Sequence, residues 1–380
     1  MHEHKQNQYK RKVKHRKNVM GLIIFCITVG LAFMFTYYQN LRKEISVRQK
    51  WLETVLTGEK KWILENQGPE GEFYMNGSKA GDVNPYFACM AALGLLAETK
   101  NCSITETEKK AVDRYLDWHT GILLETDGKM GIYRKESGKL IYKEKADSED
   151  GYLGMYLFLM GKYLEKTEST DLPEYWKKGI SLALKKIQSL MQDGITQVSE
   201  ENTTVYLMDN LEVWKGLYEL EHAGLKDVQA ISEMRNKLQA QIEKIFWDDA
   251  NQRWRIIENS DLYNQKEFYP DGVAQIYPLI YEFPVKEKKK QKILYKQFTE
   301  RFQWQKLTKK RNGFLWAMTG MAAAQMGDIN NLSEMIRNYE AEYCENRKYP
   351  LYTGEAGWIC MECEKLYSLY ERKIKTGFLV

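Results

Sequence analysis

The chain has 380 residues, 43% apolar and 28% charged, enough for a sizeable buried core and too apolar for a disordered tail. Its 56 Lys and Arg against 52 Asp and Glu leave a formal net charge of only +4, with 26 Gly and 7 Pro. That balance excludes a collagen-like chain and argues against a nucleic-acid partner. Seven basic residues (Lys5, Lys10, Arg11, Lys12, Lys14, Arg16 and Lys17) crowd into residues 1–18 beside one acid, Glu3, so the remaining chain is close to neutral.

Residues 19–38 carry no charge, and at about 1.5 Å per residue they reach roughly 30 Å, the depth of one hydrocarbon core. A secretory signal has a shorter apolar region and a small-residue cleavage site, whereas Thr36-Tyr37-Tyr38-Gln39-Asn40 follows here. The expectation is a signal anchor: 1–18 a cytoplasmic basic tail, 19–38 the transmembrane segment, 39–47 a juxtamembrane linker and 48–375 an extracellular domain. The positive-inside rule sets this orientation, and the lipid bilayer is the first partner. Cys89, Cys102, Cys344, Cys360 and Cys363 follow the span as an odd set, and Cys360-x-x-Cys363 lies inside an apolar helical pattern, so these thiols read as core.

Beyond residue 46 apolar residues recur mostly at three-to-four spacing and strand-like alternation is scarce, which predicts nearly all helix. Polar-faced helices are expected at 50–66, 106–120, 174–192, 227–247, 285–303 and 330–343. Each precedes a loop and then an unusually apolar helix, beginning near Asn84, Asp147, Tyr206, Pro270, Gly313 and Glu355. The pairs are few and irregular in length, unlike a solenoid, and the second members are apolar nearly all round. The expected fold class is all-α, an (α/α)6 barrel in which six helical hairpins close a ring, preceded by one transmembrane helix.

If the inner helices run parallel, the loops feeding their N-termini converge on one face. Acids and aromatics gather there. Glu72 and Asp82 precede the first inner helix; Asp147 and Asp150 open the second; Asp209 and Glu212 lie three apart in the third, sharing a face. Asp271 opens the fourth, Trp316 marks the fifth, and Glu355 and Trp358 the sixth, with Tyr86, Tyr152 and Tyr269 interleaved. Acids are also favoured in any first helical turn by capping and the macrodipole, and Asp147 is placed to cap. Asp209 and Glu212, however, fall in the apolar run YLMDNLEVW, where an unpaired charge is costly. Phe87 and Trp214 read as core, and Tyr86, Tyr152 and Tyr269 as rings that stack on sugar faces. Carboxylates among aromatic rings suit a carbohydrate, with two carboxyls acting as acid and base on a glycosidic bond.

Three of the five histidines lie before the span, leaving His119 and His222 without ligand-spaced neighbours, and no nucleophile-elbow, P-loop or dinucleotide motif occurs. Neither a metal nor another cofactor is expected. The segments DSEDGYLGMYL, YLMDNLEVWKGL, FYPDGVAQIYPL and NPYFACMAALGLL resemble inner-helix motifs of the six-hairpin glycosidase superfamily, most closely the family-8 glycoside hydrolases. The resemblance covers most of 48–375 in layout. It implies an (α/α)6 barrel with a cleft at one end and acid/base hydrolysis, usually inverting. By position Asp147 and Asp150 resemble aspartates that hold and distort the central sugar, and Asp209 or Asp271 a base-side residue. The family's proton-donating glutamate opens the first inner helix in a Ser-Glu-Gly context, where this chain has Gly81-Asp82-Val83-Asn84-Pro85-Tyr86; Asp82 or Glu72 is left as a candidate donor.

The leading expectation is therefore a membrane-anchored extracellular glycoside hydrolase acting on a cell-surface or secreted polysaccharide. Asp150, Asp209, Asp271 and Asp147 are the catalytic candidates, and Asp82, Glu72, Tyr86, Tyr152, Glu212, Tyr269, Trp316, Glu355 and Trp358 the substrate-binding ones. One alternative is a catalytically inactive glycan-binding partner of a polysaccharide synthase. Another, a prenyl-transfer toroid, shares the architecture and the D-x-x-D spacing but requires an apolar centre or a metal.

Overall fold

The computed structural model of the protein describes residues 2–77, 81–136, 139–169, 171–225, 228–307, 311 and 313–376. It divides into two compact units, Met1–Trp51 with Tyr370–Val380, and Leu52–Leu369. The first unit belongs largely to the long helix α1 (His2–Glu65). Within it the stretch from Val19 is long and apolar enough to cross a membrane. Its large side chains, Phe25 and Phe33 among them, point outward uncovered, and the hydroxyls of Thr28 and Thr36 donate back to the carbonyls four residues earlier, at 2.9 and 3.0 Å. A polar group satisfied within its own helix is what a lipid environment demands. The segment 39–47, expected as a linker, is helical. The side chains of 2–14 and 16–18, which carry most of the basic tail, lie outside the described residues.

The second unit alternates polar-faced and apolar helices. Outer helices are the end of α1, α3 (Glu106–Glu125), α5 (Glu174–Leu190), α7 (Val228–Phe246), α9 (Lys288–Phe302) and α11 (Ile329–Tyr339). Inner helices are α2 (Pro85–Leu95), α4 (Glu149–Thr167), α6 (Leu207–His222), α8 (Tyr277–Ile280), α10 (Thr319–Met326) and α12 (Thr353–Thr376). Local sequence accounts for the starts. Asn84 caps α2 by accepting from the Tyr86 amide, with Pro85 at the first helical position where its missing N–H costs nothing. Thr105 and Glu108 form a reciprocal capping box on α3.

The inner helices meet in chain order, α2 on α4, α4 on α6, α6 on α8 and α8 on α10. Then Gly320 of α10 abuts Glu362 of α12, and Gly357 of α12 abuts Met90 and Gly94 of α2. Small residues set these distances. A Cβ on Gly216 would sit 2.3 Å from the Gly154 carbonyl oxygen, so α4 and α6 approach backbone to backbone, and their first turns are forced side by side.

Three expectations need correction. The fourth inner helix is not continuous from Pro270: a π-helical turn at Phe268–Gly272 precedes the single turn of α8, because Pro270 and Pro278 remove donors and Gly272 favours a bend. The fifth begins at Thr319 rather than Gly313, leaving 313–318 as a loop. Strands are also present. β1 (Asp82–Val83) pairs with β2 (Gly131–Glu136), which forms a hairpin with β3 (Lys139–Lys145). Two-residue ladders join β4 (Met191–Gln192) to β5 (Ile195–Thr196) and β6 (Trp247–Asp248) to β7 (Arg253–Trp254).

Candidate active site

A cavity of ≈ 250 Å³ opens where the inner helices begin. Asn84, Tyr86 and Phe87 come from the start of α2, Asp147, Ser148 and Tyr152 from that of α4, and Met208, Asp209 and Glu212 from the first turns of α6. Tyr269 and Tyr277 come from the fourth inner segment, Phe314, Trp316 and Met318 from the fifth, and Glu355 and Trp358 from α12. Nine of the thirteen candidates read from sequence thus share one wall: Tyr86, Asp147, Tyr152, Asp209, Glu212, Tyr269, Trp316, Glu355 and Trp358.

Ser148, not Asp147, caps α4, its hydroxyl oxygen accepting from the Gly151 amide at 3.1 Å. A hydroxyl that does this leaves Asp147 outside the helix, exposed at the edge of the cavity. Asp150 is fully buried one layer behind. Its Oδ1 accepts from Ser148 and from the Gly151 amide, and its Oδ2 lies 2.7 Å from the Thr196 hydroxyl. That hydroxyl also lies 2.8 Å from Asn210 Oδ1, and one proton cannot serve both oxygens. The two oxygens compete for it, and burial pushes the Asp150 carboxyl up to about 6 while the Thr196 and Ser148 hydroxyls and the Gly151 amide pull it back.

Asp209 is half-buried and looks into the cavity, and its carboxyl is held well above the usual range by desolvation, then by the charges of Asp150 and Glu212. Burial also pushes Glu212 up to about 7, against donation from tyrosine hydroxyls. Three phenols converge on its Oε1: Tyr86, Tyr277 at 2.6 Å and Tyr281 at 3.4 Å. Among the described residues no Lys or Arg lines this cavity.

Glu355 lines the cavity and also holds the loop before α10. Its Oε1 accepts from the amides of Leu315 and Trp316, both at 3.1 Å, and its Oε2 from Ala317 at 2.8 Å. Burial pushes this carboxyl up to about 7 while the three amides pull it back. Those bonds hold Trp316 at φ +60, unusual for a bulky residue, with its ring 4.7 Å from that of Tyr269.

The other candidates sit elsewhere. Glu72 is buried beneath Tyr74, accepting from its hydroxyl at 2.8 Å and from the Glu70 amide at 2.9 Å. Asp82 lies on β1, paired with Arg134 at 2.7 Å and Lys143 at 2.8 Å, which hold its carboxyl below the usual range. Asp271 accepts from the Asn264 amide at 2.7 Å and orders the loop before it. None of the three, nor Asp150, lines the cavity, because each is bound by its own loop or sheet. Phe87, read as core, does line it. Tyr277 and Phe314 were missed, although Tyr277 and Tyr281 stand at helical spacing in an apolar run and Phe314 is two residues before Trp316. His119 is buried away from this cavity, and burial lowers its imidazole to about 3.

Among solved structures, a glycosidase variant aligns with a TM-score of 0.62 at 12% identity, covering 85% of this chain and 99% of its own. An inactive variant of the α-1,6-mannanase GH76A of Salegentibacter sp., in complex with α-1,6-mannotetrose, aligns at 0.55 and 10%, covering 84% and 99%. A D-mannose isomerase aligns at 0.56 and 10%, covering 84% and 97%. At these identities the likeness shows the fold: this chain has the helical fold of these glycosidases. No protein-family model and no curated protein sequence matches it.

Proposed function

We propose that the protein is a membrane-anchored extracellular glycoside hydrolase. The carrying observation is that Asp147, Asp209 and Glu212 meet in one aromatic-walled cavity without a neutralising cation among the described residues. In this reading the cycle of inner-helix contacts is an (α/α)6 barrel, residues 19–38 span the bilayer with 1–18 cytoplasmic, and the cavity-bearing unit is extracellular. The motif likeness to family-8 enzymes belongs to the same reading, and with it an inverting outcome.

Asp209, kept protonated by desolvation and its acidic neighbours, is the general acid. It gives its proton to the bridging oxygen as the bond to the anomeric carbon breaks. Asp147, at the open edge, is the carboxylate that takes a proton from water while the water oxygen bonds that carbon. Glu212 and its tyrosines orient sugar hydroxyls, and the raised Asp209 carboxyl retains the proton it is to deliver. Asp150 is a positioning residue that raises Asp209 from behind.

The test is incubation of the detergent-solubilised full chain with a polysaccharide panel, scored by new reducing ends. Isomerisation of a free sugar creates none, so the assay separates hydrolysis from that chemistry. Release by wild type that persists in both Asp209→Asn and Asp147→Asn would sink the assignment of acid and base. Binding of oligosaccharide without any release would favour the non-catalytic partner of a synthase.

A further inference from the structure

The unit that holds the apolar segment carries more positive charge than a span alone needs. The segment ends in Tyr37-Tyr38, a pair of the kind that sits where lipid meets water. Arg42 follows one turn later, its guanidinium 5.6 Å from the centre of the Tyr38 ring, with Lys43 beside it, and both are exposed. At about 1.5 Å per residue these two cations stand roughly 6–8 Å past Tyr38. That is the depth of a phospholipid headgroup layer, about 5–8 Å on each side of the hydrocarbon.

The same unit holds a second basic stretch. α12 enters it at Tyr370, whose hydroxyl accepts from Arg48 Nη1 at 3.2 Å and whose ring centre lies 5.7 Å from that guanidinium. Leu41 and Ile45 share the face of α1 that carries Arg48, and both are buried, whereas Arg42, Lys43 and Glu44 between them are exposed. On α12, Ile374 shares the face of Tyr370 and is half-buried. The last turns of α12 therefore run down α1 from Arg48 toward Leu41. Lys375 is five residues past Tyr370 and Lys43 five before Arg48, so both stand about 8 Å from that contact, at one level. Arg372 and Lys375 are exposed and Lys373 is half-buried. Few acids oppose them: Glu44 is held by Arg48 at 2.6 Å, which leaves Glu371. Among the described residues Lys43, Lys373 and Lys375 form no ion pair.

Cations from two distant stretches of chain, brought together at headgroup depth, fit an extended anionic plane better than one small ligand, and a layer of lipid phosphates is such a plane. We propose that Arg42, Lys43, Arg372, Lys373 and Lys375 form a basic patch that binds anionic phospholipid headgroups beside the span. The end of α12 is then tied to the membrane surface as well as to α1. The patch rests on residues 19–38 spanning the bilayer and is independent of hydrolysis.

The experiment places the full-length protein in nanodiscs of phosphatidylcholine, pure or mixed with phosphatidylglycerol. It reads the lipids that stay bound after mild delipidation, by mass spectrometry, and amide hydrogen exchange over 370–375. Wild type should retain phosphatidylglycerol about threefold above its share of the disc, less so as salt rises, and exchange should be slower in mixed discs than in pure ones. Lys43→Gln, Lys373→Gln and Lys375→Gln together should abolish both differences. The corresponding triple Arg variant should keep them, which shows that the charge and not the fold is read. A preference that survives the Gln variant, or exchange alike in both discs, overturns the patch. So does a preference lost only on replacing Lys10, Arg11 and Lys12 by Gln, which would place it before the span. Equal slowing by soluble polyphosphate in pure discs would reassign the patch to a free polyanion. Alkaline carbonate reports the span separately: a chain stripped from the bilayer overturns span and patch together, and a retained chain without lipid preference overturns the patch alone.

Discussion

The two ends of the same inner helices handle charge in opposite ways. At their C-terminal ends a second cavity, of ≈ 210 Å³, is bordered by Lys162, Lys166, Lys215 and Lys365 together with Glu165, Glu282 and Glu364. Lys215, nearly buried, bridges Glu219 at 2.7 Å and Glu282 at 2.8 Å, and Lys365 also pairs with Glu282. Between those cations the Glu282 carboxyl falls to about 2, despite the burial that opposes it. At the N-terminal ends Asp150, Asp209, Glu212 and Glu355 lie where, among the described residues, no Lys or Arg lines the cavity, and burial raises their carboxyls. Trp358 borders both cavities and divides them, its indole N–H 3.1 Å from the Met90 sulfur. The contrast separates carboxylates that hold helices together from carboxyls left able to hold and deliver a proton.

The largest expected effect tests that division directly. Asp209→Asn should cut the rate of reducing-end release by about 10³-fold, the contribution of a general acid. Its Tm should stay level or rise, since an acid set among acids is removed; a collapsed fold would make Asp209 structural instead. At the far end, Lys215→Met should have the reverse profile. It leaves Glu219 and Glu282 facing each other with one cation fewer and costs about 3 kcal/mol in denaturant unfolding, with kcat per folded molecule unchanged.

Asp150→Asn sharpens the mouth more finely. Removing its charge lowers the Asp209 carboxyl, so the alkaline limb of the pH–rate profile should move to lower pH, with kcat at the acid optimum reduced less than about tenfold. Complete loss at every pH would instead make Asp150 an acting group.

The smallest effect is on stability against pH, where the two ends have opposite signs. Glu282 has a folded value of about 2, below the ordinary 4.5, so its contribution is present above pH 4.5 and lost as pH falls toward 2. Glu212 and Glu355, raised from 4.5 to about 7, weaken the fold as pH rises from 4.5 toward 7, because the unfolded chain ionises first. Thermal unfolding across pH 2–8 should therefore show Glu282→Gln flattening only the acid limb. A change on the neutral side instead would mean that the far-end network does not hold that carboxylate ionised.

Much of this layout was legible in the sequence for concrete reasons. The apolar second helices announce themselves because inner helices are covered on all sides; Asn84-Pro85 marks the start of an inner helix chemically, and Thr105 to Glu108 that of an outer one. The β2–β3 hairpin escaped notice, although Gly131-Ile132-Tyr133 and Leu140-Ile141-Tyr142 flank a Ser137-Gly138 pair of the kind that joins strands. Asp82 was misplaced for the same reason: its partners Arg134 and Lys143 stand on that hairpin. Ser148 and Asp147 illustrate a finer limit, since either can cap a helix, and which one does decides which is left for the cavity.

By itself the sequence determined the helical periodicity, the apolar segment long enough to cross a bilayer, and the set of acids and aromatics at the inner-helix starts. These depend on residue order over a few turns. Tertiary structure alone decided which carboxylates face the cavity, that Glu355 also holds the Trp316 backbone, and that Asp271 and Glu72 serve their own loops. Those outcomes depend on partners far apart in the chain, brought within hydrogen-bond reach only when glycine-mediated contacts such as Gly154 on Gly216 close the helices together.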